Sequence, residues 1–229
     1  MPTIEDSEFG TVAVRRQVKS SHIRIRVAPD GRLRVSVPPY TPLFMVKRML
    51  NSSRDRIREM LEAQRPSLDY EDGSEIGKSH SLIVRQGASL KSERKGLHII
   101  LTLPESLTLS SPEAQEHLRK QTIAALRREA KGYLPKRLEH LAKLHGFHYE
   151  RVRFSHSSGR WGSCSSAGTI SLNIALMKLP FELIDYVLIH ELAHTRQMNH
   201  SSDFWQIVED YDPKYRLHKK QLKNEIPTI

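Results

Sequence analysis

The sequence predicts an α+β protein, in which a basic, hairpin-rich N-terminal region precedes a set of helices interleaved with short strands. Two observations carry that expectation. Apolar and polar residues alternate in HIRIRVAPDGRLRVSV (22–37) on either side of Pro29-Asp30-Gly31, the period of two that a half-buried strand requires. Farther along, apolar residues recur at helical spacing from Ser110 to about Leu144 and again from Pro180 to Met198, with strand-like runs between them.

Taken in order, the first hairpin has a three-residue loop with Gly31 in the left-handed position, which pairs Ile25 with Val35 and Val27 with Leu33. That register sets Arg26 opposite Arg34, with Arg24 on the same outer face. Like charges directly across a ladder cost about a few tenths of a kcal/mol, so the face is either screened by salt or partnered by an anion. Residues 41–64 read as one helix or two short ones, and the Ser-, Gly- and Asp-rich stretch from Pro66 to Ser79 as a linker or long loop. Strand signals follow at 81–86 and 97–103. Ser110-Ser111-Pro112-Glu113 is a helix start; the helix it opens should kink or break near Gly132 and Pro135. Two further strands are expected at 149–154 and 169–175, the second after an Ala167-Gly168 turn, and Pro180 opens the helix FELIDYVLIHELAHTRQM.

Composition narrows the class. With 229 residues and 38% hydrophobic content the chain can bury a sizeable core. No apolar run approaches the ~20 residues a bilayer span needs, and MPTIEDSEFG is polar and acidic where a secretion signal would be basic and then apolar. A cytoplasmic protein without membrane contact is expected, and the lone Cys164, which cannot form an internal disulfide, fits a reducing compartment. The net charge of +10 favours an anionic partner, with DNA or another polyanion as candidates and Arg24, Arg26 and Arg34 as the candidate contacts.

The chemistry concentrates in HELAHTRQMNH (190–200). Residues four apart on a helix share a face, so His190 and His194 can present ring nitrogens to one zinc ion, with Glu191 beside them as a carboxylate within reach of a water. A third ligand cannot come from the same unbroken helix, because a continuing helix would turn His200 roughly 240° away from His194. The chain must leave the helix between them, and Met198-Asn199 offers the place, since asparagine tolerates the left-handed conformation that ends helices. His200 is then the third ligand, Ser201 or Ser202 with Asp203 starts a new helix, and a water completes a tetrahedron.

Together, RWGSCSS (160–166), TISLN (169–173), DYVLIHELAH (185–194) and MNHSSDFW (198–205) resemble the YgjP-type predicted zinc metallopeptidases, relatives of the SprT and Spartan proteases. The resemblance covers most of the chain and is most specific in its last part, with mild departures at Gly159 and Thr195 to Gln197. It implies a zincin-like fold: an upstream helix beside the motif helix, a small mostly antiparallel sheet across them, His190, His194 and His200 as ligands of one zinc ion per chain, and Glu191 as the catalytic carboxylate. The domains would be 1–105, a basic β-rich region with a helix at about 41–64, and 106–229, the zincin-like metallopeptidase domain. The His190 to His200 spacing also equals that of the metzincins, but Gln197 stands where they have glycine and no Met-turn is evident.

The expected reaction is hydrolysis of a peptide bond in a peptide or protein substrate, with Glu191 as general base. Arg160, His156, Tyr186 and Tyr211 are candidates for stabilising the oxyanion or contacting substrate. The strand TISLN is a candidate edge for pairing with substrate backbone. Cys164 could ligate a metal but reads more simply as a small packed residue, and Trp161, Phe204 and Trp205 as packing aromatics. Two alternatives remain: a nucleic-acid-associated protein, or a protease of DNA-bound proteins recruited by the basic hairpin; and a zinc-stabilised module without catalysis.

Overall fold

A computed structural model describes all residues except 1, 2, 7, 19, 29–32, 65, 66, 157–159 and 228; for 5, 10, 11 and 61–64 it describes the backbone alone. The Pro29-Asp30-Gly31 loop and Gly159 therefore lie outside the described residues. The chain forms two compact units, Met1–Pro66 and Ser67–Ile229.

The first unit is a four-stranded sheet, order β1-β2-β4-β3, with two helices. Its strands are β1 (Thr3–Asp6), β2 (Gly10–Arg16), β3 (Arg24–Val27) and β4 (Leu33–Val37). β3 and β4 pair in the expected register, Ile25 with Val35, Val27 with Leu33 and Arg26 with Arg34. β1 and β2, which the sequence reading did not assign, extend the sheet, β2 lying parallel to β4. The stretch 41–64 resolves into two helices, α1 (Leu43–Ser52) and α2 (Arg54–Gln64). Val46, Leu50 and Ile57 from these helices close a core with Val12, Val14, Leu33, Val35 and Val37. Each of these aliphatic side chains contributes about 1.5–3 kcal/mol on burial.

The second unit begins with β5 (Glu75–Ile76), β6 (His80–Gln86), β7 (Lys91–Lys95) and β8 (His98–Leu103), a sheet of order β5-β6-β8-β7. These strands share one core with the long helix α3 (Pro112–His145), so the boundary expected near 105 falls inside a packed unit. Ile99, Leu101 and Leu103 alternate toward the helix, and nothing in their own sequence shows that the surface they meet is α3 rather than the first hairpin. α3 runs continuously through Pro135 instead of breaking there. The proline costs ~3 kcal/mol or more in a helix interior, and the burial of Leu134, Leu138 and Leu141 on the same stripe offsets that cost.

A second, three-stranded sheet follows, made of β9 (Arg151–Ser155), β10 (Gly162–Cys164) and β11 (Thr169–Asn173) in the order β10-β11-β9. It is mixed rather than mostly antiparallel: β11 pairs antiparallel with β10 and parallel with β9. The expected turn at Ala167-Gly168 is present, Gly168 adopting φ 71°. TISLN is β11 and lies at the centre, paired on both sides, so it cannot be the expected edge; β9 and β10 are the outer strands. A 3₁₀ segment (Ile174–Lys178) leads to α4 (Phe181–Ala193), α5 (Ser202–Tyr211) and α6 (Tyr215–Leu222). Arg137 of α3 grips Asp185 of α4 through two hydrogen bonds of 2.8 and 2.7 Å, fixing the motif helix against the long one. Among the described residues no helix is long and apolar enough to cross a membrane.

Candidate metal centre and active site

The last turns of α4 and the segment after it bring three imidazoles together: ligand-capable atoms of His190, His194 and His200 lie within 4.8 Å of one another, and among the described residues no other group of this kind forms. His190 and His194 share the helix face, their ring centroids 4.9 Å apart. α4 ends at Ala193, earlier than expected, with His194 as its C-cap. Thr195 Oγ1 donates to the Leu192 carbonyl at 2.7 Å, and the Thr195, Arg196 and Gln197 amides bond back to Leu192 and Ala193.

No described non-glycine residue has positive φ, so Asn199 does not make the turn by the left-handed conformation expected of it. The early helix end and a succession of bends deliver His200 instead, its Nε2 3.2 Å from that of His190. Arg196 anchors this segment. Its guanidinium donates to the carbonyls of His145 and Gly146 (3.0 and 2.9 Å) and to the Tyr211 hydroxyl (3.0 Å), and lies 4.1 Å over the Phe147 ring.

The surroundings prepare the rings for a cation. His194 Nδ1 is 3.1 Å from the Gln197 carbonyl, which accepts its proton and leaves Nε2 unprotonated and free to ligate. Burial, followed by the neighbouring His194, His200 and Lys219, pushes His190 down to about 3; burial and His200 lower His194 as well, against the Gln197 hydrogen bond. Neutral imidazole is the form that binds metal. Phe204 of α5, fully buried, packs against all three rings with centroids 4.5–4.9 Å away, and Trp205 stacks on His200 at 5.7 Å.

Glu191 is 4% exposed, and among the described residues its Oε2 has no hydrogen-bond partner. A buried carboxylate oxygen without a partner is costly unless something polar completes it, and the three convergent imidazoles of the same motif offer the place for a cation and its water. The residues fit a zinc ion and a water. Burial, opposed only by Arg160, raises the Glu191 carboxyl to about 8. The pocket is tight because β10 presses on it: a Cβ on Gly162 would lie 2.5 Å from Glu191 Oε1. Gly162 stands in the RWGSCSS stretch, and only the absence of a side chain there hints at this approach.

Of the other sequence candidates, Tyr186 and Arg160 belong to this neighbourhood. The Tyr186 ring is 6.1 Å from that of His190; burial, then the charges of Asp212, Tyr215 and Glu191, push its phenol up to about 12, so it remains a proton donor. Arg160 acts electrostatically on Glu191, and its carbonyl accepts a 2.9 Å hydrogen bond from Asn173. Tyr211 is placed elsewhere, against His145, Phe147 and Arg196. His156 stands among the charges of Arg119 and Arg127 on α3 and is not in the histidine group. Cys164 is outside that group too, and burial together with Glu191 raises its thiol to about 11. Arg24, Arg26 and Arg34 lie in the first unit, on β3 and β4.

A family model described as the YgjP-like metallopeptidase domain matches residues 21–225. Among solved structures, the metallopeptidase zymogen of Pyrococcus abyssi abylysin is 31% identical over 39% of this chain and 91% of that chain, with a TM-score of 0.37. The metallopeptidase zymogen of Methanocaldococcus jannaschii jannalysin is 16% identical over 39% of this chain and 93% of that one, with a TM-score of 0.35. No curated protein matches.

Proposed function

Because the chain belongs to the YgjP-like metallopeptidase family, we propose that it is a zinc-dependent peptidase in which His190, His194 and His200 hold one zinc ion and Glu191 is the general base. The observation that carries this reading is the buried Oε2 of Glu191, without a hydrogen-bond partner among the described residues, on the motif that brings three imidazoles together. Zinc in such a site supplies an acidified water and an electrophile for the scissile carbonyl. Glu191 accepts the proton of the attacking water at Oε2 and returns it to the leaving amine. Burial by itself raises its proton affinity, and the charge of a bound zinc ion would draw it back toward the carboxylate form that a base needs. Tyr186, held as a neutral phenol, and Arg160 are the donors available to the oxyanion.

Substrate backbone is proposed to pair with the outer edge of β10. Trp161 and Ser165 bond inward to β11, so the alternation of an antiparallel ladder turns the main-chain groups of Gly162 and Cys164 outward, toward that open edge. Cytoplasmic placement is part of the same reading. The test is digestion of a peptide mixture by protein stripped with a chelator and then reloaded. Cleavage should vanish with the metal and return with stoichiometric zinc; cleavage that persists in the stripped protein would overturn the assignment.

A further inference from the structure

The first unit carries thirteen Lys and Arg against seven Asp and Glu, a net +6 of the chain's +10. On α2, Arg54 and Arg58 are taken up by Asp6, Glu8 and Asp55. Arg24, Arg26 and Arg56 are not: among the described residues none of them has an acidic partner. These same three arginines border a groove of about 310 Å³ between β3 and the two helices, and its floor is aliphatic and thioether, from Ile25, Met49, Ile57 and Met60. β3 is the outermost strand of its sheet, so its far edge offers main-chain donors and acceptors to an added strand.

We propose that this groove binds an extended acidic protein segment laid along β3, and so recruits substrate to the enzyme. A strand added there would point alternate side chains toward the floor and toward the arginines. Aliphatic residues meet the two methionines, whose flexible thioethers accommodate varied shapes; glutamates or aspartates meet the guanidinium groups, which grip carboxylates in pairs of hydrogen bonds. The lining decides between this ligand and single-stranded nucleic acid. Nucleic acid draws its affinity from bases stacked on aromatic rings as well as from phosphate contacts, and among the described residues no aromatic side chain lines the groove. The binding stands on the groove alone, while its role in recruiting substrate rests on the peptidase reading.

The test uses full-length Glu191→Gln protein, so that ligand is not cut, with three labelled probes: a short peptide alternating glutamate and leucine, its glutamine counterpart, and a single-stranded oligonucleotide. The acidic peptide should bind about tenfold tighter than the glutamine peptide, the scale of two or three partly exposed charge pairs. Combining Arg24→Gln, Arg26→Gln and Arg56→Gln should erase that preference with no change in the unfolding midpoint. In a background with Glu191 intact, the same triple change should raise KM for an acidic substrate and leave kcat unaltered. Equal binding of the two peptides, or an acidic preference that survives the triple change, overturns the proposal. Tighter, arginine-dependent binding of the oligonucleotide overturns it in favour of nucleic acid. Loss of hydrolysis alone, with peptide binding as expected, counts against the peptidase reading and leaves the groove standing.

Discussion

Gly162→Ala puts a methyl group where the Glu191 carboxyl now lies. The added Cβ would sit 2.5 Å from Oε1 and 2.8 Å from both Cδ and Cγ; ordinary contact begins at 3.4 Å, so strand or carboxyl must retreat by about 0.9 Å. Gly162 has no positive φ, so alanine brings no backbone strain and the effect is steric. Glu191 is 4% exposed, and a retreat away from β10 would carry its carboxyl out of the position from which it serves the water. Displacing a catalytic group by ~1 Å costs ~10²-fold in rate, and overfilling a packed site costs ~1–3 kcal/mol of stability. The variant should therefore lose kcat by one to two orders of magnitude in a fluorogenic peptide assay. It should unfold at lower urea and keep its zinc, because the histidines are untouched. A kcat within about twofold of wild type would refute the idea that β10 fixes Glu191 by close approach.

Three further outcomes follow from the geometry. Arg196→Met should weaken zinc binding by about tenfold, the usual scale for groups that orient ligands, since it frees the segment leading to His200; competition with a chromogenic chelator reads this, and unchanged affinity would contradict it. Asn173→Ala should cost about 1–3 kcal/mol in urea unfolding, because the Ala175 amide and Arg160 carbonyl lose their partner. The third concerns acid stability. Burial alone would raise the Glu129 pKa, but hydrogen bonds from His80 and from Lys78 and Ser79 outweigh it and hold the carboxyl below 4.5. A folded pKa below the unfolded one stabilises above the unfolded value and is lost as pH falls through the folded one. Stability should thus decline on acidification below pH 4.5, and Glu129→Gln should be less stable at neutral pH with a shallower acid limb. An equally steep limb would contradict that assignment.

What could be read from the sequence was what local spacing determines. His190, Glu191 and His194 are fixed by one helical turn, and the β3–β4 register by alternation about a short loop. His200 followed from excluding a continuous helix, although the device that turns the chain is the hydrogen-bonded end of α4 and the Arg196 anchor rather than a left-handed Asn199. Features that depend on distant partners were not legible. TISLN looks the same in sequence whether it lies at an edge or in the middle, and it lies in the middle. Tyr211 is spent on Arg196 and His145, a contact between residues far apart in the chain. Gly162 and Arg56 carry no local sign of what they face. The strands from Glu75 to Leu103 were grouped with the hairpin because composition does not show that α3 covers them.

The central claim is that Glu191 moves the proton in a site whose metal the three histidines hold. Hydrolysis of one peptide by wild type and Glu191→Gln, compared at matched zinc content, tests it most directly. Both proteins should carry one zinc per chain, and only the wild type should cleave; a Glu191→Gln protein that cleaves at the wild-type rate with its zinc in place would contradict the account.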